Sequence, residues 1–209
     1  MAEERLTIES TGARLEARLC ATGAPAWCCV LAHPHPHFGG DMDNNVTRLM
    51  ARGLNRLGIA SLRFNFRGVG NSTGSFDGGI GETDDLKAAL EAAAAAFPGV
   101  RLAVAGYSFG AWVAHRCVQT GRLDLPLVLV APPLALFDFE PLSTPAPTMV
   151  IIGGQDQYTS PGHVRRWAAA TGRQASVVEE PDADHFWIGR EFWLSEKLRQ
   201  YLDQIPPKS

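Results

Sequence analysis

The sequence predicts a three-layer α/β fold in which a mostly parallel central sheet lies between two layers of helices. Short, continuous apolar runs recur along the chain, namely "AWCCVLA", "IASLRFNF", "RLAVAGYS", "LPLVLVA" and "PTMVIIGG". Runs of this length are typical of strands that are buried on both faces. Helix-length segments separate them, and this alternation indicates βαβ crossovers. Because the chain has 209 residues, we expect one domain that spans residues 1–209.

Two antiparallel strands are predicted on the N-terminal side of the parallel ones, at an edge of the sheet. Between residues 6 and 19, apolar and polar residues alternate on both sides of the turn sequence "STGAR". Alternation with a period of two is typical of a hairpin that buries a single face. We therefore expect this hairpin to form an edge of the sheet.

Two helices are predicted in the first half of the chain. Apolar residues recur every three or four positions over residues 46–57, after Asp43 and Asn44, whose side chains can cap a helix. The second helix is predicted to start at Thr83, to continue through the alanine-rich segment "LKAALEAAAAAF" and to stop at Pro98. Both helices lie between apolar runs, as crossover helices do.

Two further helices are predicted in the second half of the chain, besides the one that follows "GYSFG". Ser160 is the cap candidate of the first, and Pro161 occupies its first helical position. The last helix is predicted over residues 189–204 and buries Leu194 and Leu198. Strand and helix signals therefore alternate to the end of the chain.

Composition and charge exclude several classes of function. The 19 Lys and Arg residues and 22 Asp and Glu residues give a formal net charge of -3, without the basic stripe that nucleic acids require. No apolar run reaches the roughly 18 residues of a membrane-spanning helix, and the first ten residues include charged side chains where a secretory signal peptide would be apolar. We therefore expect a cytoplasmic protein without a membrane span, a monomer or small homo-oligomer whose partner is a small molecule.

The cysteines indicate reducing surroundings. Cys20, Cys28, Cys29 and Cys117 lie in apolar or amphipathic segments and show no CxxC spacing. This pattern favours buried thiols over disulfides or zinc ligands.

The segment "GYSFG" contains the candidate nucleophile. Gly106 and Gly110 lie two positions before and after Ser108, between an apolar run and a helical segment. A chain that passes directly from strand to helix needs a strained backbone at the serine, and glycine removes side chains that would clash with neighbouring backbone. GxSxG also occurs by chance in glycine-rich turns, but the flanking strand and helix favour a catalytic serine.

A candidate base and a candidate acid follow later strands. A serine hydroxyl needs a base to remove its proton and an acid to orient that base. Asp156 follows a buried strand in "MVIIGGQDQY", and His185 follows the last predicted strand in "VVEEPDADHFW". The order Ser108, Asp156, His185 is that of one serine-hydrolase architecture. Asp182 and Asp184 are alternative acids, but they are so close to His185 in sequence that we expect them to shape its loop.

Five sequence blocks follow one another along nearly the whole chain. They are "AHPHPHFGGDMDNNVTRL", "SLRFNFRGVGNSTGSFDGGIGETDDL", "GYSFGAWVA", "GGQDQ" and "ADHFW". Together they resemble the α/β-hydrolase superfamily, most closely its small bacterial serine hydrolases without a cap domain, of the esterase and dienelactone-hydrolase type. The resemblance implies the α/β-hydrolase fold, Ser108 as nucleophile, Asp156 as acid and His185 as base. The mechanism that it implies requires no metal and no organic cofactor.

Two backbone N–H groups are expected to bind the negative charge that develops on the carbonyl oxygen during acyl transfer. One belongs to Phe109, directly after the nucleophile. The resemblance places the other in the loop "AHPHPHFGG", at His35. Pro34 and Pro36 have no N–H group to donate, and His37 is the second choice.

Metal and phosphate binding are the competing interpretations of two loops. His33, His35 and His37 alternate, and imidazoles on one side of an extended segment can bind zinc. The stiff proline path and the lack of a further Cys or Glu ligand instead favour a buried His33 that braces the loop. The loop "FNFRGVGNS" contains GxG but no lysine at P-loop spacing, so we expect Arg67 to pair with a carboxylate.

The expected substrate site is open and apolar. Only "PPLALFDFEPLSTPA" separates two buried strands where capped relatives insert a lid. The predicted substrate contacts are Phe38, Gly39, Phe137 and Trp187, with Phe139 as a further wall residue. This composition favours a small or medium acyl ester or thioester, cleaved through an acyl-enzyme. Lactone opening, peptide cleavage and a non-catalytic binding protein on the same scaffold are the alternatives.

Overall fold

Within residues 3–206, which the computed structural model describes, eight strands form one central sheet. The strands are β1 (Glu4–Ser10), β2 (Ala13–Cys20), β3 (Trp27–Ala32), β4 (Ala60–Phe64), β5 (Arg101–Tyr107), β6 (Leu127–Val130), β7 (Thr148–Gly153) and β8 (Ala175–Glu180). The α-helices are α1 (Asn45–Arg56), α2 (Ile80–Ala96), α3 (Phe109–Gly121), α4 (Pro161–Thr171) and α5 (Glu191–Gln204). A short 3₁₀ helix, Pro36–Phe38, follows β3.

The sheet is mostly parallel, as the sequence predicts. Its strand order is β1-β2-β4-β3-β5-β6-β7-β8. The pairs β1·β2 and β2·β4 are antiparallel, whereas all the pairs from β4 across to β8 are parallel. The predicted N-terminal hairpin is therefore confirmed, with β1 at the edge. The carboxyl ends of the parallel strands meet at one edge of the sheet, which is where open α/β sheets bind ligands.

Helices cover both faces of the sheet and bury two apolar clusters. Leu86 of α2, Val113 of α3 and Val164 of α4 belong to one cluster. Met50 of α1 and Leu198 of α5 belong to the other. The central strands supply residues to both clusters, because successive side chains of a strand point to opposite faces. The continuous apolar runs are therefore explained by burial on both sides, and the predicted three layers are confirmed.

Side-chain caps explain where two of the helices begin. The Val46 N–H donates a hydrogen bond to Asn44 Oδ1 at 3.0 Å, and the His163 N–H donates to Ser160 Oγ at 3.3 Å. Both caps match the prediction. The last helix, predicted over residues 189–204, is observed as α5. No helix in the described part of the chain combines the length and the apolar character that crossing a bilayer would require.

The second helix begins earlier than the sequence predicts, at Ile80 rather than at Thr83. The Glu82 carboxylate accepts hydrogen bonds from the N–H groups of Asp77 and Gly79, at 2.9 and 2.6 Å. These bonds satisfy amides at the helix start that would otherwise lack partners. The periodicity of the alanine-rich segment does not reveal such a cap, which is why the prediction began the helix too late.

All four cysteines lie within the described residues and are buried free thiols, as the sequence predicts. Burial raises the pKa of the Cys28 and Cys117 thiols to about 12. Thiols of this kind stay protonated near neutral pH and are poor nucleophiles and metal ligands.

Candidate active site

The turn between β5 and α3 holds Ser108 in a strained backbone conformation. Its φ is 55° and its ψ is -117°, a combination that residues other than glycine rarely adopt. A Cβ at Gly106 would lie 2.1 Å from the Gly110 carbonyl oxygen, and a Cβ at Gly110 would lie 2.3 Å from that of Ala32. Both distances are shorter than packed atoms tolerate. The glycines are therefore needed for the turn, which confirms the predicted reason for the GxSxG pattern.

Three side chains from separate loops form one chain of hydrogen bonds at the carboxyl edge of the sheet. His185 Nε2 lies 3.0 Å from Ser108 Oγ, and His185 Nδ1 lies 2.9 Å from Asp156 Oδ2. A carboxylate can only accept a hydrogen bond, so the neutral imidazole carries its proton on Nδ1. The lone pair of Nε2 then faces the Ser108 hydroxyl, as a general base requires. Asp182, one of the alternative acids, is exposed and lies 3.7 Å from Arg190.

The loop that follows β7 fixes Asp156. Its Oδ1 accepts hydrogen bonds from the N–H groups of Tyr158 and Thr159, at 2.8 and 2.9 Å. The same loop approaches the one after β8 closely, since a Cβ at Gly153 would lie 2.3 Å from the Ala183 carbonyl oxygen. This backbone contact aligns the loop that carries the acid with the loop that carries the imidazole.

The loop that follows β8 is held by two polar side chains. Tyr107 Oη donates a hydrogen bond to the His185 carbonyl oxygen at 3.0 Å, and burial raises the pKa of Tyr107, so the phenol keeps its proton. Asp184 Oδ1 accepts hydrogen bonds from the N–H groups of Phe186 and Trp187, at 2.9 and 3.1 Å. Asp184 thus shapes the loop, as predicted. Among the described residues, its carboxylate forms no hydrogen bond with the His185 imidazole.

The two predicted oxyanion donors lie beside the serine. His35 and Phe109 line the same cavity as Ser108. Within residues 3–206 neither backbone N–H donates a hydrogen bond, and Phe109 opens α3, where amides have no partner inside the helix. The N–H of His37, by contrast, donates to His35 Nδ1 at 3.1 Å. The second-choice donor is therefore already occupied.

His33 braces the loop after β3, as predicted. Its Nε2 accepts a hydrogen bond from the Phe66 N–H at 3.0 Å, and its Nδ1 donates to the Pro34 carbonyl oxygen at 2.7 Å. Burial lowers the pKa of His33 to about 4, so the ring is neutral at neutral pH. Both ring nitrogens are used inside the protein. Among the described residues, no group of three or more His, Cys, Asp or Glu is placed to hold a metal ion.

The glycine-containing loop after β4 is tied down by an ion pair. Arg67 Nη2 lies 2.8 Å from Asp85 Oδ1, and the Arg67 backbone N–H donates to Asp85 Oδ2 at 2.9 Å. The hydrogen bonds to Asp85 also raise the pKa of Arg67. This pairing confirms the predicted carboxylate partner of Arg67.

An open cavity of about 310 Å³ leads to Ser108. Its wall is largely apolar and aromatic, and six of its residues are Phe38, Phe109, Leu136, Phe137, Tyr158 and Phe186. Two of these, Phe38 and Phe137, are predicted substrate contacts. No Lys, Arg, Asp or Glu lines the cavity within the described part of the chain, so its surface suits an uncharged group.

One predicted substrate contact, Trp187, points away from this cavity. Its side chain is fully buried, and its ring stacks on that of Trp193 with centroids 6.0 Å apart. Trp187 has a φ of 58° in the turn held by Asp184, and it packs into the cluster beneath α1 and α5. The prediction for Trp187 is therefore corrected, and its neighbour Phe186 lines the cavity instead.

Two further wall predictions are also corrected. Gly39 ends the 3₁₀ helix with a φ of 77° and does not line the cavity, whereas Gly40 does. Phe139 is buried, with its ring edge-on to that of Trp167. Leu136, which the predicted substrate contacts do not include, lines the cavity and belongs to the same apolar segment as Phe139. That segment forms neither a helix nor a strand, so its sequence has no period from which the side chains that face the cavity could be predicted.

The chain is similar in sequence and in structure to several known proteins. No family model matches it. The crystal structure of XC6422 from Xanthomonas campestris, a member of the α/β serine hydrolases without lid, has a TM-score of 0.89 and 34% sequence identity, over 99% of this chain and 96% of that one. An α/β serine hydrolase homologue from Coxiella burnetii has a TM-score of 0.86 and 31% identity, over 97% and 98%. The uncharacterized protein RP471 of Rickettsia prowazekii is 32% identical over 203 residues, which cover 92% of this chain and 85% of that protein.

Proposed function

Since the chain belongs to the α/β-hydrolase superfamily, among its serine hydrolases without a lid, we propose that it hydrolyses small or medium acyl esters or thioesters through an acyl-enzyme. One observation carries the proposal: Ser108, His185 and Asp156 are joined by hydrogen bonds at the base of an open, apolar cavity. In the proposed mechanism Ser108 is the nucleophile, His185 transfers protons, and Asp156 orients the imidazole.

In the first step, Ser108 Oγ attacks the carbonyl carbon of the acyl group. His185 Nε2, which lies 3.0 Å from this oxygen, takes the hydroxyl proton as the new C–O bond forms. The imidazolium that results is stabilised by the ionised carboxylate of Asp156, whose side chain is fully buried. An ion pair in such surroundings is stronger than one in water.

The oxyanion of the tetrahedral intermediate is proposed to bind the backbone N–H groups of Phe109 and His35. Both residues line the cavity beside Ser108, and neither N–H has an acceptor among the described residues. The Phe109 amide also belongs to the N-terminus of α3, whose partial positive charge favours developing negative charge. Burial lowers the pKa of His35, so its ring stays neutral and can keep accepting the His37 N–H that holds the loop.

Collapse of the intermediate breaks the bond to the leaving group. The departing alcohol or thiol takes the proton from His185, and the acyl group remains esterified to Ser108. A water molecule then gives a proton to His185 and attacks the ester, and the second intermediate releases the carboxylic acid and restores Ser108. The proposed cycle uses only groups of this chain, the substrate and water.

The cavity supports an uncharged acyl group of small or medium size. Its volume of about 310 Å³ is near the lower end of ligand pockets, which span roughly 300–1,000 Å³. Phe38 and Leu136 form an apolar rim, and their side chains are largely exposed. No charged side chain of residues 3–206 lines the cavity, so these residues offer no partner for an acyl group that carries its own carboxylate or ammonium.

Covalent labelling tests whether Ser108 is an activated nucleophile. A fluorophosphonate should add one adduct to the intact mass of the wild type and none to Ser108→Ala. His163→Ala is a matched control because His163 lies on α4, away from the cavity residues, and it should label like the wild type. Absence of labelling in the folded wild-type protein would contradict the proposal.

A substrate panel then separates the acyl classes. The wild type should hydrolyse short and medium acyl esters and thioesters faster than the matching succinyl esters, since no Lys or Arg of the described residues lines the cavity to pair with the second carboxylate. Lactones and peptides belong to the same panel as competing substrates. Turnover of peptides alone would exclude the ester proposal while leaving Ser108 as the nucleophile.

A further inference from the structure

A second concave site lies between α1 and the strands β1, β2 and β4. It has a volume of about 790 Å³, and six of the described arginines line it: Arg5, Arg18, Arg48, Arg52, Arg56 and Arg63. We call this site the arginine groove. The chain as a whole carries a formal net charge of -3. The groove is therefore a local concentration of positive charge on a chain that is negatively charged overall.

Three of these arginines form one row across the sheet. Arg5 lies opposite Arg18 in the β1·β2 pair, and Arg18 lies opposite Arg63 in the β2·β4 pair. Like charges directly opposite each other on antiparallel strands destabilise a sheet. Arg63 contacts both carboxylates that line the groove, those of Glu3 and Asp43, and Arg18 lies 3.7 Å from Glu16. Arg5 forms no ion pair with a carboxylate within residues 3–206.

The other three arginines form a row along α1. Arg48, Arg52 and Arg56 are spaced four residues apart, which places them next to one another on the helix surface. Like charges at this spacing also destabilise a helix. Within residues 3–206 none of the three forms an ion pair with a carboxylate, and the buried Nε of Arg48 has no hydrogen-bond partner.

Two rows of repelling cations around one groove are best explained by an anion that binds between them. Guanidinium groups bind phosphate oxygens through paired, charge-assisted hydrogen bonds, and several of them around a concave surface favour a ligand with more than one phosphate. A cavity of about 790 Å³ has the size of a site for a single small molecule. An extended nucleic acid would need a longer basic surface than this acidic chain has.

We propose that the arginine groove binds a small molecule with a di- or triphosphate group, of the nucleoside polyphosphate class. The site adjoins the Ser108 cavity at the start of α1, since Asp43 lines the groove and Asn44 lines the cavity. It is nevertheless a separate site, because the two cavities share no lining residue in the described part of the chain. The inference therefore goes beyond the proposed hydrolase activity and does not depend on it.

Calorimetric titration of the full chain with ATP, pyrophosphate and orthophosphate tests this site. ATP and pyrophosphate should bind one per chain with a Kd below about 100 µM at low salt, and orthophosphate about tenfold more weakly. Binding should weaken as sodium chloride is added, because exposed charges are screened. Ser108→Ala should bind all three probes like the wild type.

A pair of double variants locates the binding. Arg52→Gln/Arg56→Gln removes two exposed groove cations and should weaken ATP and pyrophosphate about tenfold or more. Arg166→Gln/Arg173→Gln makes the same change of net charge at exposed positions outside the groove and should bind like the wild type. Equal weakening in both double variants, no wild-type binding up to about 1 mM, or binding of only nucleic acid or an acidic peptide would each overturn the proposal. Matching melting temperatures establish that both variants are folded.

Discussion

The floor and the rim of the Ser108 cavity are held in different ways. On the floor, backbone atoms come so close that no side chain fits at Gly106 or Gly110, and the His185 side chain is only 6% exposed. On the rim, Phe38 is 87% exposed and Leu136 is 63% exposed. The difference shows that the fold itself fixes the groups proposed to react. We therefore expect substrate preference to depend on rim side chains that contribute little to stability.

The largest expected effect comes from removing the imidazole on the floor. His185→Ala deletes the proposed base and should lower kcat/KM for a short acyl ester by at least about 10⁴-fold. His163→Ala, which removes an imidazole outside the cavity, should keep wild-type kinetics. Steady-state assays of both variants with the same ester check the prediction, and comparable turnover in His185→Ala would remove this residue from the proposed role.

The floor should also be intolerant of a single added methyl group. In Gly110→Ala the new Cβ would lie 2.3 Å from the Ala32 carbonyl oxygen, so the turn must shift. We expect a loss of about 3 kcal/mol or more in unfolding free energy, at the upper end for overpacked sites, together with loss of fluorophosphonate labelling. Chemical denaturation measures the change in free energy.

Gly162→Ala is the matched control for that experiment. Gly162 lies in the first turn of α4, and apart from the helix's own backbone and the adjacent residues, the nearest atom to an added Cβ would be Arg166 Nη1, at 3.7 Å. Alanine is the better helix former of the two, so this variant should be as stable as the wild type or slightly more stable. A stable, labelled Gly110→Ala protein would show that the elbow does not depend on the close backbone contact.

The buried His33, which braces the loop after β3, predicts that the stability of the protein depends on pH. In the unfolded state, the pKa of His33 has its ordinary value of about 6.5. In the folded protein, burial lowers the pKa of His33 to about 4. The unfolded state therefore binds more protons between these values, and stability falls as the pH drops through this window. The contribution from His33 is fully present above pH 6.5, and about 3 kcal/mol of it is lost by pH 4.

Comparison with a variant isolates the contribution of this histidine. His33→Gln removes the titrating ring, so its unfolding free energy should decline less steeply than that of the wild type from pH 6.5 to pH 4. Denaturant titrations at several pH values give both curves, and the wild-type slope minus the variant slope is the quantity to compare. Parallel curves would mean that His33 does not set the acid sensitivity.

The contrast between the floor and the rim also explains which parts of the candidate site can be predicted from the sequence alone. Ser108 and Asp156 each follow a continuous apolar run, and His185 follows the last predicted strand. Parallel strands bring the ends of all three to one edge of the sheet. The expected fold follows from the same runs. Three side chains from distant parts of the sequence therefore meet because the strands before them are parallel, and the alternation of strand and helix signals predicts that arrangement.

The rim follows no such regularity. Phe186 and Trp187 are adjacent in a short turn, and a φ of 58° at Trp187 decides that the indole enters the core while the phenyl ring lines the cavity. A dihedral angle of this kind depends on the hydrogen bonds that Asp184 accepts and on packing against α5, and neither produces a periodic pattern in the sequence. The early start of α2 was missed for a similar reason, because it depends on the hydrogen bonds of Glu82.

The smallest expected effect lies on the rim, at Leu136. Leu136→Ala should leave the unfolding free energy within about 0.5 kcal/mol of the wild type, because the side chain is mostly in water. It lines the cavity, so its loss should raise KM about threefold for a medium-chain ester and leave an acetyl ester unchanged, since only the longer chain reaches it. Ile188→Ala is the matched control, as Ile188 is 78% exposed but does not line the cavity. A shift confined to Leu136→Ala would assign acyl-chain preference to the rim, whereas an unchanged KM in Leu136→Ala would mean that residues on the floor of the cavity determine it.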